Sequence, residues 1–187
     1  MSTQKFKLAR LRLLILFTLL LGLPAAVNSQ SAQPLDLTQA TQQNYLDRAI
    51  RYRRAGDVRS EQLELSKALH IWPDSQELRY NYALHLVRRK NLPEALRQTS
   101  HTLALNPDQP VTAKLHLQLL SKLNRHTEGA RWIGNLLLTN RAQPPLKLWS
   151  AQWLERWTPV LQLGQQHAKI ARDRHSLNLI EHALKGP

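Results

Sequence analysis

The side chains best suited to moving protons or holding a metal are eight histidines and 13 acidic residues, because the 187-residue chain contains no cysteine. The histidines stand at 70, 85, 101, 116, 126, 167, 175 and 182, and none are paired at i, i+4, the spacing that aims two imidazoles at one metal. His175 and His182, two turns apart, come nearest to a pair. Zinc wants three or four converging ligands, so neither a metal nor any other cofactor is expected, and the histidines are assigned to surfaces and turns. Lack of cysteine also removes disulfides, thiolate nucleophiles and iron–sulfur ligation. No Gly-x-Ser-x-Gly elbow and no His-Glu-x-x-His pair occurs, and six scattered glycines build no phosphate-cradling loop. These absences point to a non-catalytic chain.

Two patterns remain. Trp149, Trp153 and Trp157 share one helical face at a spacing of four. They would serve either as the packing face of a terminal helix or as an exposed stacking surface, and core packing is the better supported reading because large aromatics are mostly buried. The second pattern is a basic column: Arg54, Arg88 and Lys122 recur at one constant interval, with Arg53, Arg89 and Lys90 beside them. A row of cations would attract a carboxylate-rich partner through charge-assisted hydrogen bonds. Basic residues are equally favoured in the last turn of any helix by its dipole, by about 0.3–1 kcal/mol each, and both readings stand at this point.

The elements that must position these residues are helices. From Thr41 onward apolar residues recur at three and four in stretches broken by Gly, Asn or Pro, and no stretch alternates as a strand. Laying Pro73 over Pro107, the same interval as in the basic column, aligns SKALHIWPDS with SHTLALNPDQ and GDVRSEQL with KNLPEAL. In the first unit Tyr45, Ala49 and Tyr52 lie on one helix, Gly56-Asp57 form a turn, and Leu65, Ala68 and Pro73 follow; in the second Ala83, Leu86, Asn91, Ala95 and Pro107 take the matching places. A third unit keeps Leu117, Leu120 and Asn124 in register, after which Glu128-Gly129-Ala130 reads as shifted by one residue and the closing proline falls at Pro144.

These segments resemble the tetratricopeptide repeat, a helix-turn-helix unit of about 34 residues. They depart from it at Glu61, where the family usually has a small residue, and at Arg79, which takes a usually bulky apolar place. The resemblance implies an all-α helix-turn-helix solenoid of about three repeats over residues 41–143, closed by a C-terminal helical cap over 144–187. In the cap one helix is expected from Pro144-Pro145 through Trp157, with Leu146 and Leu154 among its apolar residues. A second is expected to start at Thr158-Pro159 and reach Ala171, and a third to run from His175 to Leu184.

The resemblance further implies a concave groove on the first helix of each unit, with Leu46, Ile50, Arg54, Tyr80, Asn81, Leu84, Arg88, Lys114, Gln118 and Lys122 as contact residues. Members that dock on chaperones grip a terminal carboxylate with Lys and Asn; the corresponding places here hold Leu46, Ile50, Asn81, Val111 and Leu115, so that clamp is not expected. A protein or peptide partner with apolar anchors and acidic groups fits better.

Residues 1–29 carry an address. Lys5, Lys7, Arg10 and Arg12 precede an apolar run from Leu13 to Leu23, then Pro24 and small residues, the layout of a secretory signal, with cleavage expected after Ser29. An uncleaved anchor over residues 13–27 is the rival reading, although a span needs roughly 20 residues. Residues 30–40 read as a linker. Without the leader's four cations, the total of 26 Lys and Arg falls to 22 against 13 Asp and Glu, a net charge of +9. Export of such a body demotes nucleic acid as the partner of a basic surface. The expectation is a periplasmic adaptor assisting assembly of a pilus, secretion or other envelope complex; the alternative is a basic helical protein that binds anionic polymer or membrane surface.

Overall fold

The computed structural model describes residues 41–142 and 151–185, and in them the chain forms eight helices and no strand. They are α1 (Gln42–Arg54), α2 (Val58–Ile71), α3 (Gln76–Arg88), α4 (Leu92–Leu105), α5 (Pro110–Lys122), α6 (His126–Ala142), α7 (Ala151–Ala171) and α8 (Arg174–Leu184). Among the described residues no helix is long and apolar enough to cross a membrane. The leader, the linker, Pro144-Pro145, Leu146 and Trp149 lie outside the described residues.

Consecutive helices pack as antiparallel neighbours in an all-α, repeat-like solenoid, and one turn recurs through it. Gly56, Lys90 and Asn124 all adopt left-handed backbone (φ 74°, 60° and 57°), and they are spaced by the same interval as the basic column. After each, an amide reaches back across the end of the first helix: Asp57 N to Tyr52 O at 2.9 Å, Asn91 N to Leu86 O at 2.9 Å, Arg125 N to Leu120 O at 2.8 Å. This is the Schellman closure, which satisfies carbonyls that a helix end leaves orphaned. Asp57 and Asn91 then cap the next helix by accepting from the amides of Ser60 (3.0 Å) and Glu94 (3.4 Å). The same device appears a fourth time at Arg172 (φ 55°), where Asp173 N donates to Ala168 O and Asp173 caps α8. The cap segment is thus built like the pairs before it.

The register of the third unit is therefore unbroken. Gly129, not Ala130, falls opposite Ala95, and the slip arises further on, because α6 runs to Ala142 rather than to the position matching Ile71 and Leu105. What changes at this unit is the packing partner. α5 packs more extensively on α7 than on α6, and α6 turns toward α7 and α8. Three helical glycines show why: Gly129 lies against the His167 ring, Gly134 against Ser176, and Gly164 against Ile133, each so close that an added Cβ would be crowded. Small residues let helix axes approach, and α6 spends its small face on the C-terminal helices.

α7 corrects a sequence expectation, since one continuous helix from Ala151 runs through Thr158-Pro159 to Ala171. Thr158 does not cap; its hydroxyl donates back to the Leu154 carbonyl at 2.5 Å. An interior proline costs about 3 kcal/mol. Trp153, Trp157, Val160 and Leu161 are all buried around it, each worth roughly 1.5–3 kcal/mol, so packing outweighs the break. The two tryptophan rings stack with centroids 5.4 Å apart, and Trp157 Nε1 donates to Asp108 in the turn between α4 and α5 at 3.0 Å. Trp153 and Trp157 are core residues.

The apolar interior is in two parts. Leu46, Ala49, Leu65, Ala68 and Leu78 form one cluster; the second runs from Ala83 and Leu86 on α3 to Ile180 and Ala183 on α8. Three histidines are buried, contrary to the assignment of histidine to surfaces and turns: His85, His116 and His167 are 1%, 4% and 1% exposed. His116 Nδ1 lies 3.0 Å from the Thr99 hydroxyl, and its ring packs on Trp132. His167 packs on His126, with ring centroids 4.9 Å apart.

Burial pushes the His116 pKa down to about 4, helped by the charges of Arg125 and His167, and burial lowers that of His167 as well. In the fold His116 resists protonation until about pH 4 and His167 protonates less readily than a free imidazole, whereas on unfolding both titrate near 6.5. Their contribution to stability is complete above pH 6.5 and declines as pH falls from there toward 4. The melting temperature should drop over that interval in wild type, and His116→Gln should flatten the drop. Lys90→Gly should raise stability by up to about 1 kcal/mol in urea melts, because glycine relieves the left-handed strain, less the entropy it adds to the unfolded chain.

Candidate partner-binding face and an arginine-lined recess

The helices α1, α3 and α5 carry the ten residues assigned to the groove, all but Asn81 at matching positions of the repeat register. The structure sorts eight of them into three groups. Leu46 is 2% exposed and packs with Ala49, Leu65 and Ala68, so it is a core residue and not a contact residue. Ile50, Tyr80 and Leu84 are half-buried, each resting on the core with one side open. Arg54, Lys114, Gln118 and Lys122 are exposed. Between α3 and α5, Gln76, Glu77, Tyr80, Gln109, Val111 and Thr112 line a shallow recess of about 280 Å³, in which Val111 is 61% exposed. A Gln109-to-Gln76 side-chain bond of 3.1 Å ties its two walls.

Arg54, Arg88 and Lys122 are the last residues of α1, α3 and α5, the place the helix dipole favours for cations. They do not form a uniform ladder, because Arg88 is turned toward Glu61 on α2. Asn81 is likewise engaged. Its side chain donates to the Glu77 carbonyl at 3.0 Å and accepts from Arg53 Nη2 at 3.1 Å.

Glu61 is the residue that organises this end of the molecule. Its column holds Ala95 and Gly129 in the next two units, so the first unit places a carboxylate where the others place almost nothing. The residue is 2% exposed. Its Oε1 accepts from Arg53 Nε at 2.8 Å and from Arg88 Nη2 at 2.5 Å, while His85 Nδ1 lies 2.9 Å from Oε2. An ionised carboxylate only accepts, so that ring nitrogen is the donor. One side chain from α2 thereby joins α1 to α3. Burial pushes the Glu61 carboxyl up, but the hydrogen bonds from His85, Arg53 and Arg88 outweigh it and the pKa lies below the ordinary value.

A recess of about 290 Å³ opens above this network, lined by Arg53, Val58, Glu61, His85, Arg88 and Arg89 beside Gly56. A second buried acid, Glu64, accepts from Arg48 Nε at 2.6 Å, and the Arg48 guanidinium sits 4.3 Å from the centre of the Tyr45 ring. Sequence reasoning marked Glu61 as a departure but did not join it to Arg53, His85 and Arg88. The available signal was an acid in a column of small residues, flanked by cations near two helix ends.

Among the described residues there is no group of three or more His, Cys, Asp or Glu side chains placed to hold a metal ion. Comparison with known proteins finds no matching family model and no matching curated protein.

Removing the carboxylate leaves two guanidiniums facing each other and a buried imidazole without its acceptor. Glu61→Ala should cost about 2–4 kcal/mol in urea denaturation at neutral pH, below the full value for a buried pair because Arg53 and Arg88 reach solvent. Arg54→Ala, one residue from Arg53 but exposed, should change stability by less than about 0.5 kcal/mol.

Proposed function

We propose that the chain is a tetratricopeptide-like, non-catalytic adaptor of the cell envelope that holds a protein or peptide partner on the face of α1, α3 and α5. The observation that carries this reading is the composition of that face. Half-buried Ile50, Tyr80 and Leu84 and exposed Val111 offer apolar footholds, and exposed Arg54, Lys114 and Lys122 stand beside them. Side chains that rest on a rigid core lose little freedom on binding, which favours their use as anchors. An extended or helical segment with apolar residues and acidic flanks is complementary to such a surface. The leader, with its basic head and apolar run, supports a periplasmic place of work, and in that compartment an adaptor meets the subunits of pili, secretion systems and other envelope complexes.

The net charge of +9 on residues 30–187 favours a second reading, a basic helical protein held on anionic polymer or lipid. The two differ in their response to salt. Exposed charge pairs are screened within about 8 Å at physiological ionic strength, whereas apolar contacts are not.

The chain expressed with its own leader and crosslinked in cells should capture an envelope protein in stoichiometric amount at moderate salt, and sequencing the captured chain would report the mature N-terminus. Arg54→Glu with Lys122→Glu should weaken capture about ten-fold. Val111→Asp should do the same, and neither change should alter helicity, since all three residues are exposed. Arg88 is left untouched in this test because its loss would disturb the Glu61 network. Recovery of lipid or polysaccharide only, lost as salt rises, would hand the case to the second reading.

A further inference from the structure

We propose that the recess over Glu61 is a binding site for a carboxylate carried by an acidic peptide segment, received by Arg53, Arg88 and Arg89. It deepens the adaptor reading and rests on it only for what carries the carboxylate. The walls hold three guanidiniums against one carboxylate, and Glu61 is the only acid among the lining residues. One buried anion cannot neutralise three cations, so the recess keeps a positive excess inside walls that exclude part of the solvent, where an incoming anion is held more strongly than on open surface.

The donors are also pre-aimed. Glu61 fixes Arg53 through Nε and Arg88 through Nη2, and Asn81 fixes Arg53 through Nη2. Each guanidinium has five N–H groups in a rigid fork, so both keep donors to spare after these bonds. Holding a fork in place before binding removes the ordering cost that makes most exposed ion pairs weak. His85 lines the same recess at 1% exposure, and its Nδ1 is committed to Glu61, which leaves the reception of an anion to the guanidiniums. Arg89 has no ion pair among the described residues and lies exposed at the rim, where it completes the set without belonging to the buried network. In the other two units the column of Glu61 holds Ala95 and Gly129, so this site belongs to the first pair alone.

The test uses the full chain and a hexaglutamate peptide, followed by the Nε–Hε resonances of arginine in NMR titrations. Saturable shifts of Arg53, Arg88 and Arg89, with affinity reduced about ten-fold in Arg89→Gln and unchanged in Lys122→Gln, would support the site. Arg88→Lys, which keeps the charge but loses the fork, should weaken binding too. Shifts spread over many basic residues with no loss in Arg89→Gln would overturn it. So would equal shifts with inorganic phosphate, or with anionic phospholipid vesicles, at the same charge concentration. Because the readout is on the purified chain, failure here leaves partner capture by the α1, α3 and α5 face untouched, and failure of capture leaves this titration untouched.

Discussion

How closely two helices can approach is the constraint on which the rest of this molecule depends. Where Ala49, Ala68, Ala83 and Ala95 face neighbours, all four are fully buried and the pairs close tightly. Where α6 carries Gly129 and Gly134, it comes near enough to α7 and α8 to touch a histidine ring and a serine side chain, and it does so at the expense of its contact with α5. A helix has one close-packing stripe to give, and the placement of its smallest residues decides which neighbour receives it. The change from regular pairing to a packed C-terminal group goes with the place of two glycines on α6, and the turn at Arg172 repeats the earlier three.

Glu61 shows what happens when that constraint is relaxed at one place. A carboxylate in the small-residue column must be reached by donors from both flanking helices, and Arg53, His85 and Arg88 are within one to two turns of the helix ends that make this possible. Breaking such a network is expensive and forming it gains little over an apolar contact, because desolvation consumes most of the attraction. Its value lies in orientation. It determines where two guanidiniums point, which an alanine contact could not do.

Much of this was readable from residue order. Turn positions 56, 90 and 124, the alanines that let helices approach, and the burial of Trp153 and Trp157 all follow from local spacing and side-chain size. What escaped depends on contacts between distant residues or on competing energies. The break after Ala171 was legible, but its kinship with the earlier turns was hidden because the interval between Asn124 and Arg172 is longer than the one separating those turns, with α6 extended and α7 intervening. The passage of α7 through Pro159 required weighing one broken backbone bond against four buried side chains, and local rules see only the first. Leu46 was placed on the open face by the groove positions of the resembled repeat, yet the first unit buries that residue in one cluster with Leu65 and Ala68.

The division of the apolar interior has a consequence for cooperativity. Leu78 on α3 belongs to the first cluster and Tyr82 packs against both, while the ion pairs of Glu61 and the Arg53–Asn81 hydrogen bond cross the same junction. In a quasi-one-dimensional array, the strength of each junction sets whether units melt together or separately. Concentrated salt screens the ion pairs at this junction and leaves the apolar packing of the tryptophan end in place. The α1–α2 pair is therefore expected to open first as salt rises, its amide protons exchanging ahead of those at the tryptophan-packed end.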